Sequence, residues 1–173
     1  KKLNNLAHHN LFFDTDFNLH SKEIYKDPKW PSEPLFYANF TSITNEHTAP
    51  KGCENGFILI PLAPGLKDTQ ELRDKYFDIV VDRIESITEQ KIKESIIYKK
   101  SFCVSDFIDE YNSYKGNAYG LANTLLQTSF LRPKLKSKLV KNMYFTGQLS
   151  VPGPGVPPAI VSGKLVAELI NNK

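Results

Sequence analysis

Apolar residues recur along the chain in short bursts whose spacing alternates between two residues and three to four, and each change of period marks an element. Leu11-Phe12-Phe13 predicts a strand. Asn18 is placed to cap a short helix that ends before Pro28, and Trp30-Pro31-Ser32-Glu33-Pro34 predicts a rigid extended connector. Leu35 to Ile43 reads as a second strand, with Phe36, Ala38 and Phe40 on one face and Leu35, Tyr37 and Ile43 on the other, so that both faces are covered. After the polar stretch Thr44 to Gly56, Phe57 to Leu62 predicts an antiparallel partner, and such a pair could floor a long apolar pocket.

Asp68 and Glu71 have the spacing of a capping box, and Leu72, Tyr76, Ile79, Val80, Ile84 and Ile87 then mark one face of a long amphipathic helix with Lys91 beyond its end. Ile92, Ile96 and Tyr98 alternate with polar residues and predict another strand. Between Ser101 and Tyr114 the carboxylates Asp106, Asp109 and Glu110 cluster; they read as surface charges at a helix start and receive no catalytic role. Tyr114 to Pro133 is an apolar loop region kept adaptable by Gly116 and Gly120.

The C-terminal stretch organises the chain. Met143 to Thr146 predicts a buried strand bounded by Gly147, and Ile160, Val161, Leu165, Leu169 and Ile170 predict a final helix whose first turn holds Pro157 and Pro158. The turn between them carries Gly153 and Gly155 onto a helix N-terminus, where unpaired amides and the positive end of the macrodipole favour an electron-rich oxygen. An ordinary corner between strand and helix gives the same spacing, so pattern alone leaves both readings open.

Charge and composition narrow the classes. With 173 residues and a net charge of +3 the chain is long enough for one core and not strongly basic. Lys134, Lys136, Lys138 and Lys141 form the one lysine cluster; an anionic membrane surface could face it, but a solvated loop before a strand is the expected reading. No nucleic-acid module pattern is present, and no apolar run reaches the roughly 18 residues of a membrane span. Cys53 and Cys103 make no C-x-x-C pair and fit a reduced, cytoplasmic protein. His8 and His9 are adjacent, so in an extended segment they point to opposite faces and cannot chelate one metal. Asp14-Thr15-Asp16-Phe17-Asn18 opens like a calcium loop, but Leu19 replaces the required glycine and Tyr25 the bidentate glutamate, so no metal site is expected.

Three blocks in order carry a resemblance. Asn142-Met-Tyr-Phe-Thr-Gly147 followed by Pro152-Gly-Pro-Gly-Val-Pro157 is similar to the C-terminal flavin signature of the bacterial-type phytoene desaturases, a carotenoid desaturase family of FAD-dependent, amine-oxidase-like flavoproteins. Gly116-Asn-Ala-Tyr-Gly-Leu121 with Leu126-Gln-Thr-Ser-Phe-Leu-Arg-Pro133 matches a second family block, and His8-His-Asn-Leu-Phe-Phe13 completes the order.

The resemblance implies an α/β fold class, α+β for the piece alone. The chain would be the C-terminal portion of a two-domain, Rossmann-like flavoprotein, with residues 1–115 supplying substrate-domain strands and one long helix and 116–173 returning to the FAD domain. No G-x-G-x-x-G loop is present; the nearest match, Gly153-Pro154-Gly155, has Pro158 at the third glycine, so the pyrophosphate-binding part is expected outside this piece. FAD would be held by Gly147, Gln148, Gly153, Pro154, Gly155, Val156 and Pro157, and a polyene by Tyr119, Leu121 and Phe130, a segment that reads equally as ordinary core. Gln148 stands where many relatives in the wider group place an acidic residue against the ribityl hydroxyls.

Hydride leaving the isoprenoid chain for the flavin would place negative charge where the amides of Gly155 and Val156 can meet it. The resemblance further implies a phytoene-like carotenoid precursor as substrate and peripheral membrane association in the cytoplasm. The isolated piece is expected to bind FAD weakly or not at all and to form a homodimer through apolar surface normally covered. A 1-hydroxycarotenoid 3,4-desaturase, a related carotenoid oxidase, and a non-catalytic module binding an isoprenoid or a partner protein are the alternatives.

Overall fold

A computed structural model describes residues 2–122, 124–128 and 131–172. The chain forms two compact units, Lys1–Phe107 and Ile108–Lys173. It combines helices with a small antiparallel sheet, an α+β arrangement.

The first unit is built on a three-stranded sheet of order β1-β2-β3, with β1 His9–Phe12, β2 Phe36–Asn39 and β3 Phe57–Leu59. Both pairings are antiparallel, in registers that set His9 opposite Asn39, Phe12 opposite Phe36 and Tyr37 opposite Leu59. One face packs on helix α2, Gln70–Thr88, where Phe12, Phe36, Ala38, Phe40, Val80 and Ile84 form the core. The Phe12 and Phe36 rings stack at 4.3 Å, and Phe36 is wholly buried. Tyr37 and Asn39, on the opposite face, are only half-buried, so the two faces of β2 are not equally covered.

Strands shorter than their apolar runs have local causes. β2 stops at Asn39 and the chain turns through a 3-10 segment Thr41–Ile43, because the Asn55 side chain accepts from the Ser42 amide at 3.1 Å and the Thr41 hydroxyl at 2.9 Å, removing Ser42 from the ladder. β3 ends before Pro61, which has no amide to donate and whose carbonyl accepts from His20 Nε2 at 3.0 Å. His20 Nδ1 accepts the Leu35 amide at 3.0 Å, so the two partners together fix a neutral ring protonated on Nε2.

Helix α1, Phe17–Tyr25, is capped by Asp16, whose carboxylate accepts from the Asn18 amide at 2.8 Å; the cap is therefore two residues before the expected Asn18. The connector behind it is pinned from below. Glu23, 1% exposed, accepts from the Ser32 amide at 2.9 Å and its hydroxyl at 2.6 Å, and Tyr76 donates to the Pro31 carbonyl at 2.6 Å. Burial works to raise the Glu23 carboxyl, but the Ser32 bonds and Lys29 outweigh it and leave it below its ordinary value.

Thr69, not an Asp68–Glu71 box, caps α2, accepting from the Leu72 amide at 3.4 Å. Asp68 is turned instead toward Arg73 and Ser105. On α2 the buried face includes Val81 and Thr88, while Ile87 is 54% exposed, contrary to its place in the periodic pattern. Residues 92–98 form no strand: Glu85 draws in the Ile92 and Lys93 amides, the latter at 2.7 Å, and the chain makes a 3-10 turn Lys93–Ser95. The His8 and His9 rings lie 4.3 Å apart rather than on opposite faces, because His8 precedes β1; each Nδ1 is engaged, by Thr44 and Tyr37 respectively, both at 2.6 Å. Cys53 and Cys103 are free, and burial pushes the Cys103 thiol up.

Helix α3, Val104–Tyr111, leads into the second unit, which ends in helix α4, Val156–Asn171. Met143 to Thr146 is not a strand. A single bridge between Lys136 and Tyr144 joins two extended segments, with the Phe145 amide donating to the Leu135 carbonyl at 2.8 Å. Two segments with one bridge cannot form a buried strand, and Met143 and Phe145 stay 42% and 41% exposed.

Candidate glycine-turn site at the start of the last helix

The turn from Gly147 to Gly155 needs glycine at its bends. Gly147, Gly153 and Gly155 have φ of 105°, 142° and 110°, a region closed to L side chains without strain. Gly155 is the N-cap of α4, and Pro157 and Pro158 follow inside its first turn as the sequence requires. The first helical bond is from the Ala159 amide to the Gly155 carbonyl at 3.0 Å. Of helical positions 156 to 158 only Val156 carries an N–H, and its side chain is 74% exposed. The helix therefore starts in the open with two backbone donors, Gly155 and Val156, at its positive end.

Ser162 locks this turn to the helix. Its hydroxyl donates to the Ala159 carbonyl at 2.6 Å and accepts from the Gly147 amide and the Thr146 hydroxyl, each at 2.7 Å. The side chain is fully buried, and these three bonds use its one proton and both lone pairs. Gly163 lies beside Thr146, and a Cβ there would make only ordinary contact, 3.7 Å, with the Thr146 Oγ1. Ser162→Ala is expected to lose about 1 to 3 kcal/mol, because the Gly147 amide is left without its acceptor. Thermal unfolding followed by circular dichroism checks this, and an unchanged midpoint would show that the turn does not depend on Ser162.

The second sequence block is brought to the same turn. Gln148 Nε2 donates to the Ala118 carbonyl at 3.3 Å, and Gly120, at φ 81°, has the end of the Leu149 side chain directly over it. Arg132, 3% exposed, donates from Nη2 to the Gln148 carbonyl at 3.2 Å. Its Nη1, Cζ and Nε lie 3.6, 3.7 and 3.9 Å from where a Gly153 Cβ would be, so the guanidinium lies flat against that glycine. One buried cation thus touches both shoulders of the turn. Sequence reasoning missed Ser162 and the role of Arg132; the signals were a serine followed by glycine in an apolar helix and an Arg-Pro step in the second block.

The remaining expected residues fall as follows. Pro154 is half-buried between the two glycines, and Pro157 is exposed at the helix start. Tyr119 is 62% exposed and Leu121 half-buried, both beside the Gly120–Leu149 contact, while Phe130 lies outside the described residues. The first block, His8 to Phe13, contains β1 and lies in the other unit. The second unit carries eight basic residues against Asp109, Glu110 and Glu168, and no carboxylate occurs between 110 and 168. A glycine-bent backbone, two open amides and an acid-free surround fit a flat ligand that presents a carbonyl or anionic oxygen. Among the described residues no group of three metal-binding side chains occurs.

Comparison with known proteins gives this geometry a context. No family model matches the chain. It is similar to a carotenoid 3,4-desaturase of Haloarcula japonica, 42% identical over 165 residues, covering 95% of this chain and 33% of the relative. A 4,4'-diapophytoene desaturase (4,4'-diaponeurosporene-forming) of Staphylococcus haemolyticus is 33% identical over 167 residues, with 92% of this chain and 33% of the relative covered. A 4,4'-diaponeurosporene oxygenase of Staphylococcus aureus is 33% identical over 170 residues, with coverage of 96% and 34%. The chain spans about a third of the length of the curated relatives it matches. It belongs to the carotenoid desaturase family and corresponds to the C-terminal part of that family's longer members.

Proposed function

We propose that this chain is the flavin- and polyene-facing C-terminal part of an FAD-dependent carotenoid desaturase with a two-domain, Rossmann-like architecture. The observation that carries the reading is the glycine turn 147–155, held by Ser162 and Arg132 against an open helix N-terminus. FAD, when bound, supplies the two-electron acceptor that no side chain provides. The chain's part is positional and electrostatic. Gly147, where a side chain would meet nothing within 4 Å, lets a flat ring approach the backbone, Gly153 is buried under the Arg132 guanidinium and shapes the turn, Pro154 and Pro157 stiffen the path, and the Gly155 and Val156 amides donate to an oxygen that gains negative charge. Gln148, already tethered to Ala118, presents its amide oxygen to a ribityl hydroxyl.

Tyr119, Leu121 and Phe130 supply part of an apolar wall for a long carotenoid precursor. The relatives' names, a 3,4-desaturase and an oxygenase among them, favour as a second reading a carotenoid 3,4-desaturase or a related carotenoid oxidase using the same flavin site. In the longer protein the exposed apolar face of α4, Ile160, Val161, Leu165 and Leu169, is buried against the remainder, and the isolated chain associates through it as a homodimer.

The test is the absorption spectrum of the full-length protein after incubation with FAD and removal of the excess. A yellow protein that bleaches anaerobically with phytoene is expected. A full-length protein that takes up no flavin would leave only the reading as an isoprenoid-binding or partner-binding module.

A further inference from the structure

The lysine cluster sits in a solvated loop, as expected, and that loop is ordered by its own hydrogen bonds. Lys136 and Tyr144 form a bridge, and beyond it the chain reverses through Ser137 to Met143. Ser137 fixes that reversal: its amide donates to the Met143 carbonyl at 3.0 Å, and its hydroxyl accepts from the Leu139 and Val140 amides at 3.2 and 3.0 Å. Asn142, at φ 61°, takes the left-handed bend. The base is anchored by Leu135, 8% exposed, whereas at the tip Leu139 is 96% and Val140 53% exposed. Lys138 and Lys141 flank these two side chains in sequence and Lys134 and Lys136 flank Leu135 at the base, and all four are exposed. An ordered backbone thus holds an exposed apolar pair between lysines, on a unit with no carboxylate between residues 110 and 168.

We propose that the tip Lys138-Leu139-Val140-Lys141 is a membrane-docking finger: Leu139 and Val140 enter the acyl boundary of a lipid leaflet while Lys134, Lys136, Lys138 and Lys141 bind its anionic headgroups. The chemistry on each side is complementary. Buried methyl groups gain from leaving water, and each lysine near an anionic surface strengthens binding about fivefold. Lysine stems also reach outward along an apolar patch while their ammonium groups stay at headgroup level. Among the described residues no helix is long and apolar enough to cross a membrane, so a surface finger is an attachment that this part of the chain can provide. Vesicle binding is read without cofactor or turnover, so the finger stands or falls separately from the flavin site.

The experiment is vesicle flotation of the full-length protein, with phosphatidylcholine alone and with added phosphatidylglycerol. Binding is expected with phosphatidylglycerol and is expected to fall as salt rises. Lys138→Glu with Lys141→Glu should weaken it by more than about tenfold. Lys138→Gln with Lys141→Gln, a milder change at the same exposed positions, should shift it in the same direction. Leu139→Trp, read as difference emission against the parent protein, should move to shorter wavelength only when anionic vesicles are present. Parent-like flotation of both lysine variants would overturn the proposal. So would a difference emission from the Leu139→Trp variant that vesicles leave unmoved, or one already blue-shifted without lipid, which would show the tip covered by the rest of the chain or by a second copy.

Discussion

Asp68→Ala is expected to remove about 3 to 5 kcal/mol from the first unit, the cost of breaking a buried ion pair from one side. The Asp68 side chain is 1% exposed and accepts four bonds: Arg73 Nε and Nη2, both at 2.6 Å, the Ser105 amide at 3.0 Å and the Ser105 hydroxyl at 2.9 Å. Arg73 Nη1 also reaches Asp106 at 2.7 Å, so one guanidinium ties the start of α2 to the start of α3. Alanine would leave Arg73 with Asp106 as its one carboxylate, beside the Ser101 and Ser105 hydroxyls, and the Ser105 amide without its acceptor. Arg73→Lys should cost much of the same energy, because an ammonium cannot make the two parallel bonds of the fork.

The same group sets an acid dependence. The Arg73 bonds hold the Asp68 carboxyl far below the usual carboxylate range, against the opposing effect of burial and with help from Ser105. A folded-state value below the unfolded one means that the unfolded chain takes up the proton first. The stabilisation is therefore complete above the unfolded value near 4 and is lost progressively as pH falls below it. Urea unfolding at neutral pH and at pH about 3 should show a smaller difference for Asp68→Ala than for the parent. Glu23 and Glu54, also held low, keep part of the acid slope. Equal pH differences in both proteins would remove Asp68 from the account.

On the proposed function, Val156→Pro in the full-length protein is expected to slow flavin reduction by about 100- to 1,000-fold while changing flavin affinity much less. Proline is tolerated at the first helical position, and Gly155 before it has the conformational freedom that a pre-proline residue needs, so the helix start survives. What disappears is the last N–H in a first turn that already holds Pro157 and Pro158. A donor that matters mainly as negative charge develops affects the rate more than ground-state binding. Anaerobic single-turnover reduction beside a flavin titration separates the two quantities. Reduction at the parent rate would mean that Val156 does not serve the reacting group.

The sequence by itself determined the pieces whose causes are local. Pro157 and Pro158 mark the start of α4, the apolar spacing from Tyr76 to Ile84 marks the buried face of α2, and Gly147, Gly153 and Gly155 foretell backbone that only glycine adopts easily. Family membership was legible for the same reason, since three ordered blocks are properties of the chain and not of its packing. Tertiary structure decided whatever depended on competition for hydrogen bonds. The apolar run 92–98 lost its strand to the Glu85 carboxylate, Asp68 left the helix cap for Arg73, and Met143 to Thr146 found only one bridging partner. It also decided the site's supports. Ser162 and Arg132 lie 15 and 21 residues in sequence from Gly147 and Gly153, and a polar side chain reveals its role only when folding shows which buried amide or carbonyl it must satisfy.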